Sequence, residues 1–251
     1  MLPVSIVIIT FNEEKNLDRC LGSVSGIADE IIIVDSYSSD ATLQIAASYN
    51  AKVVSRAFDG YAQQKNYATS LARNKWVLSL DADEELTPEL KNSIISLGAA
   101  PVCSLYRIPR LTNYCGRWIR HCGWYPDLQG RLYNRTRGAW EEKKVHEFWK
   151  LNSPDDKEGV LKGDLLHYSF ASISEHMRKI EKYSELAALA AAEQGKSAGI
   201  LKIIFSPFWH FFSEYFLKLG FLDGFYGFVI CRLSAYSSFA KYTKIRQYSQ
   251  K

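Results

Sequence analysis

The chain has 251 residues, enough for one large α/β domain or for a domain of about 150–200 residues with an appendage. Hydrophobic residues make up 47% of it and charged residues 23%, which supports a packed core in a protein of soluble composition. No apolar run reaches the roughly 18–20 residues that span a bilayer, so we expect no transmembrane helix. The net charge of +4 alone argues neither for nor against a nucleic-acid partner, and we expect none.

The first hundred residues alternate short apolar runs with helix-forming segments. The runs PVSIVIIT and EIIIVD are rich in β-branched residues, as buried strands of a parallel sheet are. The predicted strands are 3–10, 30–35, 52–56 and 76–80, and the predicted helices are 12–25, 41–49, 61–73 and the segment after Thr87. This order predicts an α/β fold with a doubly wound, mostly parallel sheet that binds ligands at the carboxyl ends of its strands.

Two of these helices have recognisable starts. Asp40 is predicted to cap the helix over 41–49, because a short polar side chain there accepts an unpaired backbone N–H. Thr87 is predicted to cap the last helix, with Pro88 at its first position and Glu89 in its first turn.

Polar clusters follow three of the predicted strands. Thr10–Glu13 follow the first strand, Asp35–Asp40 the second and Asp81–Asp83 the fourth. Because the carboxyl ends of parallel strands share one edge of the sheet, we expect the clusters to converge there. Convergence indicates a binding site more strongly than any single cluster does.

Asp81 and Asp83 form an Asp-x-Asp pair at the end of an apolar strand. Residues two apart in a strand point the same way, so both carboxylates can face one site. Such hard oxygen ligands suit Mg²⁺ or Mn²⁺ shared with a nucleotide diphosphate, whose departing charge the metal would neutralise. The alternative is an acidic loop that caps the next helix.

Other residues at this edge suit a nucleotide. The Asp35 carboxylate can accept the ring N–H of a uracil, and Thr10, Asn12 and Glu13 can contact base and ribose. Lys65, in the helix before the fourth strand, can contact phosphate or base. The alternatives are that Asp35 caps a turn and that Lys65 is an exposed helix lysine.

The remainder of the chain changes character. Residues 103–150 mix short β-like runs with Gly, Trp, Arg and His, and we interpret them as irregular and loop-rich. Helices are predicted over 172–194, 200–219 and 224–246. We therefore expect a catalytic domain over 1–170, with a nucleotide-binding half (1–100) and an acceptor-side half (101–170), and a helical C-terminal region over 171–251.

The last fifty residues combine aromatic and basic side chains. This segment contains seven Lys/Arg residues and only two acidic residues, Glu214 and Asp223. Amphipathic helices of this composition suit the headgroup boundary of an anionic membrane, where a lipid-linked acceptor would be presented. The alternative is that these helices pack on the catalytic domain or on a second subunit, and the sequence leaves the oligomeric state open.

The five cysteines are irregularly spaced, which predicts free thiols in a reducing compartment. Cys115, His121 and Cys122 fit no closed zinc motif. The N-terminal segment lacks the basic region and the cleavage site of a signal peptide, so we expect a cytoplasmic location.

Four segments resemble a known enzyme family. IVIITFNEE, IIIVDSYSSDAT, QQKNYA and WVLSLDADEEL follow the order and spacing of the family 2 inverting glycosyltransferases, and the resemblance covers about residues 3–97. It implies a GT-A-like fold, in which a Rossmann-type domain binds a nucleotide sugar. By this similarity Asp83 is the main metal ligand, and Asp81 contacts ribose or metal.

Later segments resemble a subgroup of that family. WYPDLQGRLYNR, VHEFW, LLHYSF, KIEKYSELAA and LKLGFLDGFYGFVI look like the lipopolysaccharide inner-core β-1,4-glucosyltransferases. The resemblance implies transfer of glucose from UDP-glucose to a core heptose, with Mn²⁺ or Mg²⁺ as cofactor. It also implies a lipid-linked glycan acceptor and a peripheral location at the cytoplasmic face of the inner membrane.

An inverting transferase needs a general base near the acceptor hydroxyl. The family often supplies it from a Glu-Asp pair, which this sequence lacks, so Glu147 and then Asp127 are the candidates. The alternatives are that Glu147 pairs with a nearby arginine and that Asp127 orients Arg131. His146 and His167 can bind the diphosphate or complete the metal shell, with a structural core histidine as the alternative for each.

Other functions remain open from the sequence. The same fold could transfer another sugar to a different lipid-linked glycan. A nucleotidyltransferase also uses a metal and a nucleotide, but it would normally show a Gly-rich phosphate loop after the first strand, and TFNEEKN has no glycine. A non-enzymatic membrane scaffold would not need acidic clusters at three strand ends.

Overall fold

The computed structural model of the protein describes residues 2–143 and 146–250, without the side chains of Lys143 and His146. The strands are β1 (Val4–Thr10), β2 (Ala28–Asp35), β3 (Lys52–Ser55), β4 (Trp76–Asp81), β5 (Glu84–Leu86), β6 (Leu105–Tyr114), β7 (Arg117–Ile119), β8 (Asp127–Asn134), β9 (Gly138–Lys143), β10 (His146–Leu151), β11 (Glu158–Val160) and β12 (Leu165–Phe170). The helices are α1 (Leu17–Val24), α2 (Thr42–Ser48), α3 (Tyr61–Ser70), α4 (Pro88–Ser96), α5 (Ile173–Glu193), α6 (Ile200–Phe212) and α7 (Gly224–Tyr248). A π-helical turn (Ser213–Leu217) and a 3₁₀ turn (Gly220–Asp223) lie between α6 and α7.

The first four strands form the parallel sheet that the sequence predicts, in the order β3-β2-β1-β4. Helices cover both of its faces, because β1 is apolar on both sides. Ile6 and Ile8 belong to a core cluster with Leu17 of α1 and Leu90 of α4. Val7, pointing to the opposite face, belongs to a second cluster with residues of α3. The doubly wound arrangement is therefore confirmed.

Beyond β4 the sheet continues with antiparallel partners. β8 pairs with β4, β6 pairs with β8, and β12 pairs with β5. The prediction that residues 103–150 are irregular and loop-rich is wrong, because most of this segment is strand. In β8 the alternation of apolar and polar residues that marks a strand was obscured by Arg131. This arginine is buried in the middle of β8, although an unpaired arginine would be expected at the surface.

The chain divides into two compact units. The first contains residues 1–110 and 127–168, and the second contains residues 111–126 and 169–251. Residues 111–126 therefore group with the C-terminal helices, and the domain boundary expected at residue 170 stays a prediction. Within this second unit, Tyr114 and Cys122 are buried in one cluster with Ile230 and Cys231 of α7.

Two helix starts test the capping predictions, and a third tests a predicted helix boundary. Thr87 accepts the Leu90 N–H at 3.3 Å and Pro88 is the first residue of α4, as predicted. Asp40 is not the N-cap of α2, because that helix begins one residue later than expected, but its carboxylate still accepts the Thr42 N–H at 3.0 Å. α1 begins at Leu17 rather than Asn12, since Asn12 has a left-handed φ of 55° that an α-helix cannot contain.

The C-terminal helices depart from their predicted outline in two ways. The buried face of α5 is His176, Ile180, Ser184 and Ala188, whereas the apolar Met177 is 49% exposed. Two of these four buried residues, His176 and Ser184, are polar, so the spacing of apolar residues does not reveal the buried face. The single helix predicted over 200–219 ends at residue 212 and passes into the π-helical turn. Across the described residues, we find no helix with the length and apolarity needed to span a membrane.

Candidate active site

The polar clusters that follow β1, β2 and β4 lie side by side at the carboxyl edge of the sheet. In the strand register Thr10 is opposite Asp35, and Ile9 is opposite Asp81. β1 lies between β2 and β4, where the strand order reverses. Doubly wound sheets bind ligands at such a reversal, so the fold brings the sequence-predicted residues to the expected position.

Asp35 is fully buried and holds the turn that follows β2. Its Oδ1 accepts hydrogen bonds from the Thr10 hydroxyl at 3.0 Å and from the Ser38 hydroxyl at 2.5 Å. Its Oδ2 accepts the Ser38 backbone N–H at 2.8 Å. The turn-capping alternative therefore describes its present contacts, and direct contact with a base stays a prediction.

Asn12 and Glu13 tie the β1 loop to the β2 loop. The Asn12 N–H donates to the Ser38 hydroxyl at 2.8 Å, and its side-chain oxygen accepts the Ser39 N–H at 2.9 Å. The Glu13 carboxylate accepts the Asn16 side-chain N–H at 2.9 Å. Burial raises the pKa of Glu13, and the nearby carboxylate of Asp83 adds to the rise. The two loops therefore form one hydrogen-bonded rim beside the acidic strand end.

A chain of alternating charges crosses the first unit behind this rim. In order it consists of Glu147, Lys65, Asp81, Arg131, Glu84, Arg110 and Asp127, each paired with the next. The two general-base candidates are its two ends. Four carboxylates and three cations leave one negative charge on the chain. Lys65, Arg131 and Glu84 are almost fully buried, whereas the Asp81 side chain is 28% exposed.

Asp81 lies in the first half of this chain. Its Oδ1 is 2.9 Å from Lys65 Nζ, and its Oδ2 accepts a hydrogen bond from Arg131 Nη2. Burial alone would raise the pKa of Asp81, but the charges of Arg131 and Lys65 hold that pKa well below its usual range. Asp81 is therefore an ionised carboxylate with a cation on each oxygen.

Lys65 is 1% exposed, so the alternative of an exposed helix lysine is wrong. Its ammonium also lies 2.8 Å from Glu147 Oε1 and 4.8 Å from the centre of the Trp140 ring. Glu147 thus pairs with a lysine rather than with the arginine considered in its alternative. No other hydrogen bond to the Glu147 carboxylate forms within the described residues, so Oε2 is left open.

Asp127 is held at the other end of the chain. Its Oδ2 accepts two hydrogen bonds from Arg110, at 2.6 and 2.9 Å, and its Oδ1 accepts one from Gln129 at 2.7 Å. The alternative that Asp127 orients Arg131 is wrong, because Arg131 pairs with Asp81 and Glu84 instead. Both oxygens of Asp127 are occupied.

Asp83 faces His167 rather than the charge chain. Asp83 Oδ2 is 3.3 Å from His167 Nε2. Burial works to raise the pKa of Asp83, but the hydrogen bond and charge of His167 outweigh it and lower that pKa. The side chain of His146, the other histidine considered, lies outside the described residues.

Asp83 and His167 are the two predicted metal ligands that the structure brings into contact. Nδ1 of His167 is buried and has no hydrogen-bond partner in the described part of the chain, so the imidazole has unused bonding capacity. Among the described residues no group of three or more His, Cys, Asp or Glu side chains could hold a metal. Two protein ligands still suit Mg²⁺ or Mn²⁺ when phosphate oxygens supply the rest of the shell.

Glu84 and Arg110 are residues of this site that the sequence did not point to. Glu84 lies inside the acidic run after β4 and is 1% exposed, with its Oε2 accepting the Asp81 N–H at 2.9 Å. Arg110 lies in β6 and is 3.5 Å from Glu84 Oε1. The ion-pair partners of Glu84 and Arg110 include Arg131 and Asp127, which are distant in sequence, so local patterns do not reveal these contacts.

The comparisons with known proteins agree with this architecture. A sequence model of the family described as Glycosyl transferase family 2 matches residues 5–149. An uncharacterized glycosyltransferase of Rickettsia typhi is 34% identical over 260 residues, which cover 100% of this chain and 89% of that protein. Lipopolysaccharide core biosynthesis glycosyltransferase LpsC of Rhizobium meliloti is 32% identical over 98% of this chain and 93% of its own.

A solved structure shows a more distant likeness. It is the crystal structure of glucosyl-3-phosphoglycerate synthase from Mycobacterium tuberculosis in complex with Mn²⁺, UDP and glucosyl-3-phosphoglycerate. The two proteins are 22% identical, with a TM-score of 0.37, over 46% of this chain and 45% of that one.

Proposed function

The chain belongs to glycosyl transferase family 2 and is a glycosyltransferase, and on that premise we propose that it transfers glucose from UDP-glucose to a heptose of a lipopolysaccharide core. The structural observation that supports this proposal most directly is the Asp83–His167 pair at the edge where β1, β2 and β4 end. The relation to a protein named for lipopolysaccharide core biosynthesis supports the acceptor class. The nucleotidyltransferase and scaffold alternatives lose their support.

Asp83 and His167 hold Mn²⁺ or Mg²⁺ in this proposal. The metal would supply positive charge to the departing diphosphate. Thr10, Asn12, Glu13 and Asp35 form the base and ribose side of the donor site. Lys65 contributes a buried cation to the phosphate side, and Asp81 contacts ribose or metal while it holds Lys65 and Arg131 in place.

Glu147 is the proposed general base. Its Oε1 is fixed by Lys65 at 2.8 Å, which orients the carboxylate, while Oε2 is open to take a proton. The base removes the acceptor hydroxyl proton as that oxygen bonds to the anomeric carbon and the bond to UDP breaks, which inverts the configuration. Asp127 suits this role less, because both of its oxygens already accept hydrogen bonds.

Glu147→Gln is expected to lower kcat by about 10²–10⁴-fold, the usual contribution of a positioned base, while UDP still binds. The isosteric amide keeps the shape but cannot accept the proton. Transfer rate and UDP affinity should be measured together, with Asp127→Asn as the matched variant at the other end of the charge chain. Full turnover by Glu147→Gln, with a loss in Asp127→Asn, would move the base to Asp127.

A thermal-shift screen tests the donor class. We expect UDP and UDP-glucose to raise Tm in the presence of Mn²⁺, and GDP, CDP and dTDP to raise it less, because a ligand that binds only the folded state stabilises it. The same screen without metal is the control. A stabilisation by UDP that is unchanged when Mn²⁺ is omitted would contradict the metal-dependent donor site.

The acceptor is proposed to be a lipid-linked glycan at the cytoplasmic face of the inner membrane. The protein would reach it by peripheral contact through the C-terminal helices. The aromatic and basic composition of residues 200–246 supports this location.

A further inference from the structure

One face of α6 and the following turn carries an exposed row of large apolar side chains. Its members recur every three or four residues and are between 46% and 72% exposed: Leu201, Phe205, Phe208, Trp209, Phe212 and Phe216, called here the α6 stripe. From residue 203 to residue 213 the sequence contains no Lys, Arg, Asp or Glu. An apolar row of this length on one helix face marks an interaction surface.

The opposite face of α6 already does the packing. Ile203 is buried, the Ser206 hydroxyl is 2.8 Å from the Ser238 hydroxyl of α7, and Phe211 packs into the cluster that contains Cys231. The second unit therefore buries the inner face of α6 without the stripe. The exposed aromatics are not accounted for by folding within this unit.

Exposed apolar residues on α5 differ from the stripe. Met177, Tyr183 and Leu189 are exposed to 43–49%, but charged residues such as Glu181 and Glu185 alternate with them. That mixture is typical of a solvated helix face. The stripe is thus a distinct feature within the same unit.

The net charge of the second unit distinguishes between two partners that could cover the stripe, a second copy of the chain and a membrane. The second unit contains 13 Lys/Arg and six Asp/Glu, a net charge of +7, whereas the first contains 18 and 21, a net charge of −3. Two copies meeting through the stripe would bring two +7 units together. An anionic bilayer would instead attract this unit. Lys202 precedes the charge-free segment, and Lys218 follows it beyond the partly buried Glu214.

We propose that the α6 stripe inserts into the headgroup boundary of an anionic phospholipid bilayer and is the membrane-docking surface of the protein. This deepens the proposed function, on which the biological meaning of docking rests. The 13 residues of α6 extend about 20 Å at about 1.5 Å per residue, less than the ~30 Å hydrocarbon core. The helix therefore lies along the surface, with aromatic rings in the boundary and lysine stems reaching the headgroups.

Vesicle sedimentation of the full chain tests the proposal. We expect binding to vesicles of phosphatidylcholine mixed with phosphatidylglycerol and much weaker binding to phosphatidylcholine alone. Phe205→Ser/Phe208→Ser should weaken binding to the mixed vesicles by about tenfold or more, since two large side chains lose their apolar burial. Leu189→Ser, on the solvated face of α5, is the matched control and should bind as the unmodified protein does.

Trp209 reports the insertion directly. The difference between the emission of the unmodified protein and of Trp209→Phe isolates this ring, and it should shift to shorter wavelength on adding mixed vesicles. Equal vesicle binding by the stripe variant and the control would overturn the proposal. Stripe-dependent dimers in light scattering, with no vesicle binding, would assign the surface to a second copy.

Measuring UDP binding distinguishes a failure of the docking proposal from a failure of the proposed function. UDP with Mn²⁺ should stabilise Phe205→Ser/Phe208→Ser as much as the unmodified protein. Lost vesicle binding with intact UDP binding supports the docking surface. Intact, stripe-dependent vesicle binding without any UDP response would instead contradict the proposed function and leave the docking surface standing.

Discussion

Asp83→Ala is expected to lower kcat/KM by about 10³-fold or more, because it removes the carboxylate that would hold the metal against the departing diphosphate. Asp83 is the acidic residue of the Asp-x-Asp pair that lies outside the chain of salt bridges, at 3.3 Å from His167. Its loss should therefore leave the buried ion pairs intact. The metal-dependent rise of Tm with UDP should vanish with it.

Asp29→Ala is the matched control for this experiment. Asp29 is an exposed aspartate at the opposite end of β2, paired with Arg73 at the surface. Its replacement should leave transfer and UDP binding unchanged. Circular dichroism should show both variants folded. Near-normal transfer by Asp83→Ala would move the metal site away from the end of β4.

Arg131→Met is expected to lower the free energy of unfolding by about 3–5 kcal/mol, the usual cost of removing one partner from a buried ion pair. Arg131 is 2% exposed and contacts both Asp81 and Glu84. Methionine fills a similar volume but leaves the two carboxylates facing each other without their shared cation. Urea unfolding followed by circular dichroism measures the change.

Arg107→Met provides the comparison on a neighbouring strand. Arg107 pairs with Glu158 at 2.7 Å, but both side chains are about 40% exposed, at 39% and 43%. Such a surface pair contributes about 0–1 kcal/mol. Adding Glu84→Gln to Arg131→Met should recover part of the lost stability, because without Arg131 the buried Glu84 carboxylate would keep only Arg110, at 3.5 Å, as a cationic partner. Equal losses of unfolding free energy for Arg107→Met and Arg131→Met would show that burial does not determine how much these ion pairs contribute to stability.

The first hundred residues were predictable because each signal there is local. β-branched runs gave the parallel strands, and Thr87 with Pro88 gave the start of α4. Family membership and the mixed α/β architecture confirm the GT-A-like class that the motifs implied. The start of α1 was missed because the Asn12 N–H donates to Ser38 in the loop after β2 and the Glu13 N–H donates to Thr42 of α2, contacts that helix propensity does not contain.

The charge network was not predictable, because its pairs join distant parts of the chain. Lys65 and Glu147 are 82 residues apart, and Glu84 and Arg131 are 47 apart. A single charged residue in a sequence usually lies at the solvent-exposed surface, and a buried ion pair is the exception. The catalytic roles of Asp127 and Glu147 stay predictions. Asp127 meets Arg110 through the β6–β8 pairing, and Glu147 of β10 meets Lys65 of α3, so neither contact is encoded locally.

The interleaving of the two units has a consequence for protein synthesis and for expression design. A ribosome that has passed residue 168 has delivered all of the first unit, yet residues 111–126 must wait until the last helix emerges before Tyr114 and Cys122 can be covered. During that interval an aromatic hairpin is open to chaperones or to aggregation. A catalytic fragment ending near residue 170 would keep that vulnerability permanently, so trimming the helices also requires replacing residues 111–126 with a short linker.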